Sequence, residues 1–235
     1  MSSLSDHLNE LVIANHILAH EGVVDSFGHV SLRHPDRPDR FFLSRSRAPE
    51  LVTTDDLMEF DLDCQPIDQR DRAMYSERPI HGTIYQARPD VFAVVHNHAH
   101  EVIPFGTTAV PLHPIFHMAG SIGPRVPVWD IADTFGETDL LVRTLEQGRS
   151  LAGALGSNST ALMRGHGCVV AGGSLRQAVA IAVYLMINAR LVQQALAMGT
   201  PRYLSDAEVG KSAATQLAPD AVNRAWDNWA RRCGS

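Results

Sequence analysis

An unbroken apolar run, Val91-Phe92-Ala93-Val94-Val95, ends directly in His96-Asn97-His98. Such a run predicts a strand, and on a strand residues two apart share a face, so both imidazoles can aim at one point. A second histidine site is Arg164-Gly165-His166-Gly167-Cys168-Val169-Val170, where one imidazole sits between glycines ahead of another apolar strand. Ser76-Glu77-Arg78 adds a carboxylate at the start of a predicted helix. Three imidazoles and a carboxylate suggest a divalent metal with an open coordination position. Singly, each has an ordinary structural reading: His-x-His suits two hydrogen-bonded core histidines, and Gly-His-Gly suits a tight turn. The combination points further, because both histidine sites end or interrupt apolar strands.

The rest of the chain supplies the layers around such strands. Ser5 is a candidate N-cap for a helix carrying Leu8, Leu11, Val12, Ile13, Ile17 and Leu18 up to Gly22. Short strands are predicted at 29–32 and 41–43, across the Pro- and Asp-rich turn 34–40, and at 59–62 after a turn at 54–58. Ser76 is the expected cap of a helix through Ile80, Ile84 and Tyr85, closed by Arg88-Pro89-Asp90. Val126-Pro127-Val128 reads as an edge strand, because proline cannot donate to a ladder. A helix is expected over 138–151 and strands at 160–163 and 169–171. The longest helix follows, from Leu175 to about Met198 behind Ser174, and a last helix carries Trp226 and Trp229. Short strands flanked by helices predict an α/β fold of three layers.

Composition excludes more than it identifies. A chain of 235 residues suits one domain, 1–235, and a net charge of -6 argues against general nucleic-acid binding. No stretch is read as a membrane span of roughly 18–20 apolar residues. Met1 to His7 lacks the basic and apolar regions of a secretion signal, and Cys64, Cys168 and Cys233 form no close-spaced motif. A cytoplasmic protein is the expectation.

Three linked motifs carry a family resemblance: Ser76-Glu77-x-x-x-His81-x-x-Ile84-Tyr85, Val94-Val95-His96-Asn97-His98, and Gly165-His166-Gly167 before a long Ala-rich helix. Their order and spacing resemble the class II aldolase/adducin family from Ile13 to about Ala197. The resemblance implies an α/β/α sandwich around a mixed, mostly antiparallel sheet. It implies His96, His98 and His166 as metal ligands and Glu77 as the catalytic acid/base. It also implies a homo-oligomer, commonly a tetramer, with the site between neighbouring subunits.

Departures from the sugar-phosphate aldolases of that family shape the functional expectation. Their Gly-Asn-x-Ser reads Gly28-His29-Val30-Ser31 here, and their Thr-Pro-Ser-Gly-like turn reads Ser44-Arg45-Ser46-Arg47. A guanidinium fork suits a planar carboxylate, so Arg45 or Arg47 becomes a candidate anchor for a carboxylated substrate; the plain alternative is a pair of solvated loop charges. Ser76, His29 and Ser31 are lesser candidates for polar contacts. Ile115-Phe116-His117-Met118 stands where family aldolases lend a tyrosine to the adjacent subunit, so His117 could donate a proton there, or simply be buried at a subunit interface. Overall likeness, the Arg-bearing turn included, extends to decarboxylating members of bacterial vitamin B6 breakdown. It implies a hydroxylated pyridine dicarboxylate, an aromatic small molecule, that loses its C4 carboxylate through a metal-stabilised enolate, with Mn²⁺ favoured and Zn²⁺ possible. Two alternatives stay open: an aldolase cleaving a sugar phosphate or hydroxy acid, and a non-catalytic adducin-like scaffold module.

Overall fold

The computed structural model describes residues 3–234; Met1 and Ser2, part of the stretch read for a secretion signal, lie outside the described residues. The first helix, α1 (Leu4–His20), is capped by Ser3 rather than Ser5. Ser3 has an acidic partner at the right spacing: its hydroxyl accepts from the Asp6 N–H, and the Asp6 carboxylate accepts the Ser3 N–H at 2.8 Å. Ser5 would have the apolar Leu8 in that place.

Seven strands follow in one sheet: β1 (His29–Arg33), β2 (Arg40–Ser44), β3 (Leu57–Asp61), β4 (Ala93–Asn97), β5 (Val128–Trp129), β6 (Thr160–Met163) and β7 (Gly167–Gly172). Their order is β3-β2-β1-β4-β7-β6-β5. All neighbours run antiparallel except the edge pair β5 and β6. The register sets His29 opposite His96, and His96 opposite Val169. The end of β4 is thereby flanked by the start of β1 and the start of β7.

Alternation along the strands divides the interior in two. Val30, Leu32, Ala93, Val95 and Val170 pack with α1 and with α6 (Leu175–Met198). Phe41, Leu43, Val94, Val169 and Ala171 pack instead with α2 (Pro79–Ala87) and, beyond two short helices, α3 (Ile103–Thr107) and α4 (Ala132–Phe135), with α5 (Leu145–Leu155). Helix, sheet and helix thus form the three layers of an α/β/α sandwich.

Four local expectations are corrected. Among the described residues α6 is long and apolar enough to cross a membrane, yet just over half of that apolar window is buried inside this fold, where it serves as the core helix. No helix spans 138–151: Leu140 has a left-handed φ of 66°, and α5 begins only after Thr144, whose hydroxyl caps Gln147. Ser76 does not cap α2, which starts with Pro79 after a turn through Ser76, Glu77 and Arg78. The tail forms two helices, α7 (Asp206–Gln216) and α8 (Pro219–Arg232), because Pro219 starts a new helix.

Candidate active site

The His-Asn-His segment lies at the C-terminal end of β4. Alternation turns His96 toward the α2 layer, while Asn97 on the opposite face accepts from the Cys168 thiol at 3.2 Å. His166 stands in the three-residue turn that joins β6 to β7, where Met163 and Gly167 pair across the hairpin. Both flanking glycines are required. Gly165 holds φ at 65°, and a Cβ on Gly167 would lie 2.0 Å from the Asn97 carbonyl oxygen. That close approach brings the hairpin turn beside the end of β4.

The result is a convergent set: one donor atom each from Glu77, His96, His98 and His166, all within 4.8 Å of one another. His98 Nε2 lies 3.1 Å from His96 Nε2 and 3.2 Å from His166 Nε2. Glu77 Oε2 is 3.6 Å from His96 Nε2 and 3.5 Å from His166 Nε2. The outward nitrogens decide what the inward ones carry. His96 Nδ1 faces the Cys168 carbonyl at 3.1 Å, His98 Nδ1 the Asp25 carboxylate at 3.2 Å, and His166 Nδ1 the Leu140 carbonyl at 2.9 Å. Each partner is an acceptor, so each Nδ1 donates its proton and each neutral ring turns a bare Nε2 lone pair inward. Three converging lone pairs, that of His98 about 3 Å from each of the other two nitrogens, repel without a cation between them. Around a metal with ~2.0–2.1 Å bonds to nitrogen in tetrahedral geometry they are at the natural spacing. The donor set fits a divalent cation.

Glu77 is buried, with Oε1 accepting the Val142 N–H at 2.9 Å. Burial pushes its carboxyl up, but positive charge beside it outweighs burial and holds Glu77 far below the usual carboxylate range: protons taken up by His166 and His96 when no cation is held, and the cation itself when one is. It enters any reaction near neutral pH as a carboxylate. Asp25 supports the ligand set from behind: one oxygen accepts from His98 and from the Phe27 and Gly28 N–H groups at 2.8 and 3.0 Å.

A cavity of about 430 Å³ opens beside these groups, lined among others by His29, Arg47, Tyr75, Ser76, Glu77 and His98. A second cavity of about 440 Å³, between α1, α6 and α8, is lined by Leu32, Phe92, Leu175 and Val222 with the Arg176–Glu10 ion pair. It holds no convergent donor set, so the chemistry lies in the first.

The remaining sequence candidates separate in the structure. Arg47 lines the cavity; its Nε donates to the Leu51 carbonyl at 2.6 Å and lies 3.4 Å from Asp56. Arg45 does not line it: its Nε is turned to Asp56 at 2.6 Å, a carboxylate also held by Thr53. Ser31 is fully buried and bonded to His81 and Tyr85, so it reaches no cavity atom, whereas its neighbour two residues back, His29, does. His117 is exposed at the start of a 3₁₀ segment (His117–Ile122) and lies outside the cavity of its own chain. Asp25, Tyr75 and Leu140–Val142 were not read from the sequence as site residues. Asp25 had one usable signal, a carboxylate placed to accept two backbone N–H groups in a tight Asx turn.

Residues 9–192 match the model of the Class II Aldolase and Adducin N-terminal domain. The chain is 36% identical over 240 residues to Decarboxylase tropJ of Talaromyces stipitatus, covering 92% of this chain and 90% of that one. It is 30% identical over 204 residues to the 3,4-dihydroxyphthalate decarboxylase of Arthrobacter keyseri, covering 80% and 78%. Among solved structures, an aldolase II superfamily protein from Pseudomonas syringae superposes with a TM-score of 0.81 at 22% identity, over 99% of this chain and 94% of that one.

Proposed function

Because the chain belongs to the class II aldolase and adducin family, and is a lyase of its decarboxylating kind, we propose that it releases carbon dioxide from an aromatic acid carrying a hydroxyl beside the departing carboxylate. The observation that carries this reading is the Glu77, His96, His98, His166 set opening onto a cavity whose wall includes the Arg47 guanidinium. A divalent cation held by His96, His98 and His166, with Glu77 beside it, would supply a Lewis acid for the hydroxyl and carboxylate oxygens and for the negative charge the ring carries as carbon dioxide leaves. Mn²⁺ is the proposed occupant, since oxygen-rich substrates suit it, and Zn²⁺ is the alternative that the histidine-rich set admits.

The chain's own residues account for the protons. Glu77 begins as a carboxylate and takes the proton of the ring hydroxyl. It then delivers that proton to the ring carbon bearing the departing carboxylate. The carbon–carbon bond breaks with its electron pair returning to the ring, carbon dioxide leaves, and the ring oxygen regains a proton from solvent. One proton is consumed for each carbon dioxide released. Arg47 grips a second carboxylate and so selects which one departs; Arg45 holds the Asp56 carboxylate against which Arg47 rests. Ser76 and His29 provide polar contacts on the same wall.

The specific substrate proposed is 3-hydroxy-2-methylpyridine-4,5-dicarboxylate, losing its C4 carboxylate in cytoplasmic vitamin B6 breakdown. The name of the Arthrobacter keyseri relative supports a benzene counterpart with the same hydroxyl and paired carboxylates. A homotetramer is proposed in which His117 of one copy faces the cavity of the next. Purified protein with Mn²⁺ is to be incubated with the pyridine diacid, 3,4-dihydroxyphthalate and L-fuculose 1-phosphate, following carbon dioxide and aldehyde separately. Carbon dioxide from a diacid is the expected result; aldehyde from the sugar phosphate alone would overturn it in favour of an aldolase. Mixing H117A with H96A protein should restore activity if the site is shared between copies, and no recovery would return His117 to a surface role.

A further inference from the structure

Beneath the cavity wall runs a buried chain of four hydrogen-bonding side chains. His29 Nδ1 lies 2.7 Å from His81 Nε2, His81 Nδ1 lies 2.6 Å from Ser31 Oγ, and Ser31 Oγ lies 2.8 Å from the Tyr85 hydroxyl. All four residues are at most 1% exposed. Burial holds both rings below the ordinary imidazole range, His81 down to about 3, and neighbouring imidazoles act the same way: His81 and His96 on His29, and His96 on His81. Each of these short contacts holds one proton between its two atoms, so the protons of the chain can run in only two directions.

In one direction His29 donates from Nδ1, His81 donates to Ser31, and Ser31 donates to Tyr85. The Tyr85 proton is then left with the Phe92 carbonyl at 3.5 Å, beyond a normal O–H···O bond, and that carbonyl already accepts the Arg33 N–H at 2.8 Å. A buried donor without a proper partner costs roughly 1–3 kcal/mol. In the other direction Tyr85 donates to Ser31, Ser31 to His81 Nδ1, and His81 Nε2–H to His29 Nδ1. Every buried proton is then matched at 2.6–2.8 Å. The proton left over sits on His29 Nε2, which has no hydrogen-bond partner among the described residues, on a ring that lines the cavity. Glu77 lines the same cavity, and beside its carboxylate an N–H is favoured over a lone pair.

We propose that His29 presents a neutral Nε2–H into the cavity as a fixed hydrogen-bond donor to a substrate carboxylate, the direction of the donor being set by the His81–Ser31–Tyr85 chain behind it. The carboxylate as its target rests on the decarboxylase reading; the direction of the chain does not. A neutral donor of fixed direction complements the Arg47 charge: it recognises an anion without gaining a proton or losing one.

Neutron diffraction from deuterated crystals of the wild-type chain tests the direction. Deuterium on His29 Nε2, with Nδ1 bare, is expected; deuterium on Nδ1 with bare Nε2 would overturn the proposal. Calorimetry of the manganese-loaded protein with phthalate tests the target. H29F should weaken phthalate binding about tenfold or more, as loss of one hydrogen bond to a charged group implies, while H29Q, whose amide offers an N–H at the same reach, should stay within about threefold. Equal weakening by H29Q and H29F would overturn the donor role. Failure of the wild type to bind phthalate would remove the carboxylate target together with the decarboxylase reading, while the deuterium position stands or falls by itself. If H29F does not fold, the wild-type deuterium position and the H29Q affinity carry the test.

Discussion

The two faces of the central sheet are built from alternate residues of the same strands, yet they obey different rules. Toward α1 and α6, β1 and β4 present Val30, Leu32, Ala93 and Val95, with no charge among them. Toward α2, the same strands present His29, Ser31, Arg33, Val94 and His96, and α2 answers with His81 and Tyr85. The first face is mainly a matter of volume and apolarity, with only scattered buried amides such as Asn15 and Asn97. The second must satisfy its buried donors and acceptors, and away from the cavity wall it does so densely: Arg33 alone donates to the carbonyls of Tyr85, Arg88, Val91 and Pro38. Stability resides on one side and chemistry on the other, with a single backbone register holding both in phase.

The most damaging way to break that division is to remove a ligand. His96→Ala or His166→Ala should leave no stoichiometric metal by elemental analysis and no measurable carbon dioxide release, while far-ultraviolet circular dichroism stays native. Full metal content in either variant would remove that residue from the ligand set. Glu77→Gln comes next. It keeps the size and the Val142 contact but cannot take up the proton, so metal should remain bound while turnover falls roughly 100- to 10,000-fold. Turnover within a factor of two of wild type would end the acid/base role.

On the apolar face the expectation is reversed. Leu11, fully buried on α1, belongs to the apolar layer across the sheet from α2. Leu11→Ala should cost about 2–5 kcal/mol in denaturant unfolding, yet leave metal content and turnover per folded molecule unchanged. A loss of metal in this variant would mean that the two faces are not energetically separate.

A smaller effect distinguishes the faces by pH. Because the folded chain holds His81 neutral down to about 3, while an unfolded histidine protonates near 6.5, the unfolded state binds the extra proton in between. The stabilising difference is fully present above about 6.5 and is lost as pH falls below it, by roughly 2 kcal/mol at pH 5 for this one ring. Glu77 acts in the same direction lower down: its contribution is present above 4.5 and is lost as pH falls toward its depressed folded value. In metal-free protein, His81→Gln should flatten the dependence of stability on pH between 7 and 5, and Leu11→Ala should shift it without changing its slope. An unchanged slope in His81→Gln would show that the buried ring is not neutral.

The same contrast explains how much could be read from the sequence. Apolar alternation and punctuation marked the strands and long helices, because burial dictates them locally: Val91–Val95 and Leu175–Met198 need no tertiary knowledge to be recognised. The histidines, too, were legible as residues, since an imidazole ending an apolar strand has few structural uses. Their partners were not. Leu140 and Val142 act through backbone carbonyl and N–H groups, which every residue possesses, and 138–144 looked helical until its Thr138 and Asp139 side chains are seen capturing the Leu140 and Leu141 N–H groups. Strand pairing alone reveals that His29 meets His96, and helix placement alone reveals that His81 links His29 to Ser31.

Arg45 and Arg47 carry the comparison to the edge of the cavity, where sequence reading gave them equal standing and geometry does not. Both lean on Asp56, but Arg45 donates directly to it and does not line the cavity, whereas Arg47 meets Leu51 and Asp56 through Nε and is part of the cavity wall. If Arg47 binds a carboxylate that does not react, its loss weakens ground state and transition state alike. Arg47→Ala should then raise KM about tenfold or more with little change in kcat or metal content, the size expected for one charge-assisted contact partly open to water. Arg45→Ala should raise KM only through slackening of Asp56, by about two- to threefold. Arg47→Lys separates shape from charge: a point charge cannot make the paired bonds of a guanidinium, so recovery of only part of the lost KM is expected. Identical KM values for Arg45→Ala and Arg47→Ala would mean that the pair acts only by holding the loop, and that the second carboxylate is bound elsewhere.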